Sequence, residues 1–217
     1  MSEPPVVLVT RKLPEAVEAR LSRDYQARLN ARDRVYTSDE LVALAQGADA
    51  IMPCHTEKLS ARVIDQLPDS IRAITSFSVG FDHIDLEAAR ARGIIVTNTP
   101  EVLSDATAEI AMLLLLGAAR RAHEGEQMIR TGSWSDWSAT YKLGLQVTGK
   151  RLGILGMGRV GQIMARRARG FDMEIHYYNR QRLDADTEAG AIYHASVEEL
   201  LPHCDFLSIH CPATPET

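Results

Sequence analysis

Basic residues are in short supply and nowhere clustered: 24 Lys and Arg stand against 29 Asp and Glu, a net charge of −5. That balance excludes the electrostatic footprint of a nucleic-acid-binding surface. Long apolar runs are missing too. The longest, over 110–119, is about half of what a membrane-spanning helix needs, and Gly117 interrupts it. Cysteine is scarce: Cys54, Cys204 and Cys211 are an odd number without metal-ligand spacing, so they are read as reduced thiols. The opening Met1-Ser-Glu-Pro-Pro lacks the basic and apolar parts of a secretory leader, and the expected location is cytoplasmic. There are no repeats of fixed period and no low-complexity tracts. What remains is an ordinary globular composition, 45% apolar and 24% charged over 217 residues, room for one large or two small domains.

The apolar pattern alternates between the strand and helix periods. Short β-branched runs predict strands over 6–10, 48–52, 71–76 and 94–98. Between them, helices are expected over 14–24, 38–45, 60–67 and 86–92, with Ser60 as a capping residue and Gly93 as a C-cap. Such alternation implies a parallel sheet covered on both faces. The stretch 104–122 differs: Ala106, Ala108, Ile110, Ala111 and Leu113 to Leu116 leave almost no polar face. It reads as a long helix buried on every side, as between two domains. A loop with Trp134 and Trp137 as aromatic anchors follows over 132–140. After Gly149 the alternation restarts, with strands over 152–155, 173–178, 191–194 and 206–210 and helices over 160–168 and 196–201.

The second half carries the main chemical signal. Gly156-Met-Gly158-Arg-Val-Gly161 is a G-x-G-x-x-G. Alone that hexapeptide is weak, but here it follows an apolar strand, opens a helix and is followed by a second strand. In such a unit Gly156 allows the tight turn and Gly158 lets a pyrophosphate approach the backbone. Gly161 lets the helix lie close on the sheet. The amides of Gly158, Arg159 and Val160, at a helix N-terminus, are then placed to bind phosphate. The competing reading is a packing turn without ligand.

The end of the second strand discriminates between cofactors. An NAD site places Asp or Glu there, about twenty residues after the first glycine, to bind the ribose hydroxyls. This chain has Asn179, followed by Arg180 and Arg182. A neutral amide with adjacent guanidiniums would bind a 2′-phosphate through charge-assisted hydrogen bonds. NADP is therefore expected, with NAD possible if the arginines are only solvated surface charges.

With these residues in view, the chain resembles the D-isomer-specific 2-hydroxyacid dehydrogenases, particularly the glyoxylate/hydroxypyruvate reductase branch. The likeness rests on Ser78-Val-Gly80-Phe-Asp82-His-Ile-Asp85, Gly93-Ile-Ile-Val-Thr-Asn-Thr-Pro100 and Asp105-Ala-Thr107-Ala-Glu109. It extends through Gly149-Lys-Arg-Leu-Gly153-Ile-Leu-Gly156-Met-Gly158-Arg-Val-Gly161 and His210-Cys-Pro212-Ala-Thr-Pro215-Glu-Thr217. The resemblance implies an α/β chain of two doubly wound parallel-sheet domains. A flavodoxin-like substrate domain is expected over 1–100. An incomplete Rossmann cofactor domain is expected over 101–217, beginning with the interdomain helix 104–122.

By the same resemblance, Val79 and Gly80 match a loop whose amides hold the substrate carboxylate; a plain turn glycine is the alternative. Thr107 matches a residue near the nicotinamide, or else merely begins a helix. Cys211 and Pro212 match a loop lying along the cofactor, with backbone rather than thiol in contact. His55, beside Cys54, is a candidate to face the substrate, against the reading of a surface histidine.

In the family an arginine and a glutamate-paired histidine complete the chemistry, and both lie C-terminal to the Cys-Pro loop. No catalytic residue is therefore expected among these 217. The expectation is a truncated chain that binds both ligands poorly and does not turn over alone. A small 2-keto or 2-hydroxy acid is the implied substrate, and a homodimer the implied assembly. Two alternatives stand beside this: an NAD-linked phosphoglycerate or D-lactate dehydrogenase, and a non-catalytic nucleotide-binding regulator.

Overall fold

The computed structural model describes residues 3–212, in two compact units that divide after Val102. The final Pro215-Glu-Thr217 of the Cys-Pro motif lies outside the described residues. In the first unit the order is β1 (Val6–Val9), α1 (Glu15–Asp24), β2 (Gln26–Arg28), α2 (Ser38–Leu44), β3 (Ala50–Met52), α3 (Ala61–Gln66), β4 (Ala73–Thr75), α4 (Leu86–Ala91) and β5 (Ile95–Thr97). All pairings are parallel, in the order β2-β1-β3-β4-β5, which is the flavodoxin-like sequence of strands.

The strand period of two assigns residues of β1 to opposite faces. Leu8 packs with Leu41, Ile51, Ile64 and Ile74 on one side, while Val7 and Val9 pack with Leu13 and Leu21 on the other. Both faces are thus covered, and the central strands read as nearly continuous apolar runs for that reason. Edge strand β2 was not anticipated: Gln26-Ala-Arg28 is a polar triplet with only its middle residue half-buried. Helix α2 is closed by a capping box between Thr37 and Glu40, one residue before the expected start. Ser60 occupies the N-cap of α3, but its hydroxyl caps no amide, so the cap expected there is positional only. Gly93, at φ +67°, turns the chain out of α4.

The second unit contains α5 (Ser104–Ala119), α6 (Ala122–Arg130), β6 (Arg151–Leu155), α7 (Arg159–Arg169), β7 (Glu174–Tyr178), α8 (Ala185–Glu188), β8 (Ile192–His194), α9 (Val197–Leu200) and β9 (Phe206–Ile209). Its parallel sheet runs β8-β7-β6-β9, the arrangement of the first four strands of a Rossmann sheet. Leu152, Ile154, Met164, Ala165, Ala168 and Tyr177 form its buried centre.

Two expectations about the long helix are corrected. It does not run to residue 122: Arg121, at φ 55°, breaks it, and α6 begins at Ala122. Nor is it buried on every side. Ser104, Ala108, Met112 and Ala119 are covered, and α5 packs along α7, where Arg167 donates to Asp105 and Glu109 at 3.0 and 3.2 Å. Ile110, Leu113 and Leu114, three and four positions apart, are exposed. One helical neighbour can cover only one stripe of a helix, and apolar composition alone does not say which. Trp134 and Trp137 are exposed as well, so they anchor nothing within the described residues.

Candidate functional site

The glycine turn sits where β6 ends. Gly156 is at φ +95°, and its amide donates to the carbonyl of Tyr178 at 3.0 Å, which ties the turn to the end of β7. A Cβ on Gly156 would lie 2.7 Å from the backbone nitrogen of Cys211 and 2.8 Å from the carbonyl carbon of His210. Its bareness therefore serves the packing of the 210–211 segment as well as the turn. Gly161 is equally constrained, since a Cβ there would lie 2.4 Å from the Gly156 carbonyl oxygen. The first turn of α7 presses directly on the loop.

Gly158 is different. A Cβ there would meet nothing within 4 Å, so no packing among the described residues requires glycine at this position. It is also the N-cap of α7, and no side chain caps that end. First-turn amides and the positive end of the helix dipole thus face an open space beside a residue with no side chain. Arg159 and Val160 continue that first turn, exposed and half-buried respectively. The residues present fit a pyrophosphate: bare backbone, helix N-terminus, and room for a ligand where a side chain would stand.

Asn179 closes the site from β7. Its Oδ1 accepts the Met157 amide at 2.6 Å, which fixes the side chain against the turn. The amide NH2 of Asn179 finds no acceptor among the described residues and is the group that an aspartate would lack. Arg180 is exposed and forms no hydrogen bond or ion pair among the described residues.

Arg182 is placed otherwise: its Nε and Nη2 bind the two carboxylate oxygens of Glu188 at 2.7 and 3.0 Å, and its guanidinium lies over the Tyr193 ring. Glu188 is buried and also accepts the Tyr177 hydroxyl at 2.6 Å. Arg182, then Tyr177, hold the Glu188 carboxyl below its ordinary range. Burial, followed by the bond to Glu188, pushes the Tyr177 hydroxyl up to about 12. Sequence reasoning missed Glu188. The available signal was Asp184, which caps α8 by accepting the Thr187 amide and so marks a short helix ending in that glutamate.

Cys211 is half-buried against Gly156, and Pro212 is exposed beside it. The amide of His210 donates to Leu155 at 2.7 Å, so the end of β9 brings Cys211 to the glycine turn. Burial raises the thiols of Cys54 and Cys204, which favours their protonated form. Thr107 lies exposed on the first turn of α5, with its hydroxyl donating back to the Leu103 carbonyl at 3.0 Å.

In the first unit, Val79 and Gly80 follow β4 in a loop held by side chains. Asn98 donates to the Val79 carbonyl at 2.8 Å, and the Ser78 hydroxyl donates to the Gly80 carbonyl at 2.7 Å. Both carbonyls are therefore occupied, while the two amides donate to no group among the described residues. Behind the loop, Ser76 bonds Ser78 at 2.6 Å and His83 Nε2 at 3.1 Å. A side chain on Gly80 would crowd the Asp82 carboxylate, which lies 3.8 Å from His55 Nε2. His55 is exposed and sits beside this loop. His83 is buried. His176 is buried in β7, bonded to Glu174 and His194. No described helix is long and apolar enough to cross a membrane.

Residues 112–217 match the model of the D-isomer specific 2-hydroxyacid dehydrogenase NAD binding domain. The glycerate dehydrogenase of Hyphomicrobium methylovorum is 46% identical over 213 residues, covering 97% of this chain and 66% of that protein. The glyoxylate reductase of Thermococcus kodakarensis is 40% identical over 218 residues, 98% of this chain and 65% of that protein. A solved structure from Polaromonas sp. JS6 66, described as a D-isomer specific 2-hydroxyacid dehydrogenase, superposes with a TM-score of 0.93 at 46% identity. It is covered to 67%, and this chain to 98%. The chain thus spans about two thirds of the length of these relatives.

Proposed function

The chain belongs to the D-isomer-specific 2-hydroxyacid dehydrogenase family, and from that premise we propose that it supplies the binding half of an NADPH-dependent reductase of small 2-keto acids. Glyoxylate and hydroxypyruvate are the proposed substrates, reduced to the 2-hydroxy acid, of D configuration where the new carbinol carbon is a stereocentre; two relatives carry the names glyoxylate reductase and glycerate dehydrogenase. The reading rests on one observation above the others. At the end of β7 the carboxylate typical of NAD sites is replaced by an amide whose NH2 is free, next to an arginine without a partner among the described residues.

When bound, the nicotinamide supplies a hydride to the carbonyl carbon of the keto acid. The chain's own residues hold the two ligands. Gly156, Gly158 and Gly161 shape the turn, and the amides of Gly158, Arg159 and Val160 bind pyrophosphate. Asn179 donates to the ribose or its 2′-phosphate, and Arg180 neutralises that phosphate. Arg182, shared with Glu188, adds charge at one remove. Thr107, Cys211 and Pro212 line the remainder of the cofactor, and Val79 and Gly80 bind the substrate carboxylate through their amides, with His55 nearby. None of the 217 residues is assigned the proton transfer.

The test is a titration of the chain with NADPH and NADH, followed by nicotinamide fluorescence. NADPH is expected to bind at least tenfold more tightly. A tenfold preference for NADH ends the NADP assignment.

We propose a homodimer as the assembly, formed through the exposed Ile110, Leu113 and Leu114 stripe of α5 and the Trp134 and Trp137 loop. Apolar and aromatic groups of this kind form the buried centre of interfaces. Sedimentation should show a dimer that Leu113→Glu converts to monomer; a monomeric parent chain would exclude it.

A further inference from the structure

Beside the loop that carries Gly80 lies a cluster made of His55, which the reductase reading sets near the substrate, and of Asp82 and His83, to which it gives no role. His55, Asp82 and His83 each present a ligand atom within 4.8 Å of the others. The His55 and His83 rings lie 5.2 Å apart, tilted by 35°. His55 Nε2 and Asp82 Oδ2 are 3.8 Å apart, too far for a hydrogen bond. Two ligands each about 2.0–2.2 Å from a shared ion keep a spacing of that order.

The decisive group is His83, which is only 7% exposed. Its tautomer follows from counting hydroxyl protons. Ser78 spends its single proton on the Gly80 carbonyl, so the Ser76–Ser78 contact requires Ser76 to donate to Ser78. Ser76 then has no proton left for His83 and must accept one from Nε2. The proton of a neutral His83 is therefore on Nε2, and Nδ1 carries a bare lone pair. That nitrogen is buried and has no hydrogen-bond partner.

A buried acceptor without a donor is costly, and native structures rarely leave one without reason. A metal-bound histidine typically offers one nitrogen to the ion and donates the other N–H to a fixed acceptor. His83 has that form, with the Ser76–Ser78 relay as the acceptor. We propose that His83 Nδ1, His55 and Asp82 form a site for a divalent first-row transition metal of the zinc type. Two imidazoles and one carboxylate suit Zn²⁺, Co²⁺ or Ni²⁺ and disfavour Mg²⁺ and Ca²⁺, which take oxygen ligands. Three protein ligands leave a coordination position open to water or another small ligand. The proposal does not depend on the choice of dinucleotide.

The test uses the whole chain, stripped of metal and titrated with Co²⁺, with visible absorption reporting the ligand field and Zn²⁺ as competitor. One equivalent is expected to bind, displaceable by Zn²⁺. His55→Ala and Asp82→Asn, both at exposed positions, are expected to lower the affinity at least tenfold each while leaving the circular dichroism spectrum unchanged. His194→Ala, in the separate His176–His194–His203 stack, is expected to leave it unaltered. Absence of stoichiometric binding by the parent chain overturns the proposal. So does an affinity that His55→Ala and Asp82→Asn fail to change.

Discussion

The two units leave backbone amides without acceptors, among the described residues, by different means. In the second, the amides stand at the start of the 11-residue helix α7, and what shapes them is the absence of side chains at Gly156, Gly158 and Gly161. In the first, the amides lie in the loop after β4 rather than at a helix start, and what shapes it is the presence of side chains: Ser78 and Asn98 occupy the Gly80 and Val79 carbonyls, Ser76 bonds the Ser78 hydroxyl, and the amides of Val79 and Gly80 are left unspent among the described residues. Both loops follow the C-terminal end of a parallel strand, where open α/β sheets place their ligands. One architecture thus frees backbone amides either by subtraction or by bracing, and the two should fail differently when altered.

The largest effect should come from filling the subtractive site. Gly156→Ala meets backbone atoms at 2.7 and 2.8 Å from a positive φ. Strain and overpacking together should cost about 2–5 kcal/mol of stability in the second unit, measured by denaturant unfolding. Gly158→Ala should cost about 0.5 kcal/mol or less, because nothing stands near it. It should nevertheless weaken NADPH binding at least tenfold. Equal effects from both substitutions would break the separation of packing from ligand contact.

Next in size is the cofactor switch. Asn179→Asp with Arg180→Ala should move the NADPH-to-NADH affinity ratio by at least tenfold toward NADH, about 1.4 kcal/mol. Arg182→Ala should instead act mainly on stability, because it leaves buried Glu188 without its cation. A cofactor effect from Arg182→Ala as large as that from Arg180→Ala would contradict the pairing with Glu188.

The braced loop should yield more gently. Asn98→Ala and Ser78→Ala each remove one hydrogen bond to a carbonyl, about 0.5–1.5 kcal/mol. Faster exchange of the Phe77 and Thr99 amides, which bond the Pro53 and Ser78 carbonyls around the loop, should report it, with no change at Gly156.

The smallest effect is with pH. His83 holds a second proton less readily than an unfolded histidine, chiefly through burial. The stability it contributes is complete above the unfolded value of about 6.5 and is lost as pH falls through the lower folded value. His83→Asn should flatten the loss of β4 amide protection as pH falls below about 6.5. The corresponding loss at β6 should persist, because His194 and His210 in the second unit are also held below their ordinary values, mainly by burial.

The contrast between the units also explains what was legible in the sequence. Subtraction leaves a mark, because glycines at fixed offsets after an apolar strand are improbable without a reason. Gly156 to Gly161, the strand after them and the position of Asn179 could therefore be read directly. Bracing leaves little mark. Ser76, Ser78, His83 and Asn98 have no spacing rule that announces a hydroxyl relay, and His83 passes for a packing residue until its partners are seen. Elements built from polar residues were invisible for a related reason: β2 is Gln-Ala-Arg, and α8 begins from a capping aspartate rather than an apolar face. The long helix erred oppositely. Its apolar content announced burial, but whether Ile110 or Met112 faces α7 is decided by packing, not composition.

The turn from Gly156 to Gly161, closed by Asn179, is proposed as the dinucleotide site. Amide-resolved NMR of the chain during titration with NADPH tests it most directly and tolerates weak binding. The shifts should be concentrated at Met157 to Gly161, the Asn179 side-chain NH2 and Arg180, and they should saturate. A saturating titration that leaves these groups unmoved, or shifts confined to other residues, would contradict it.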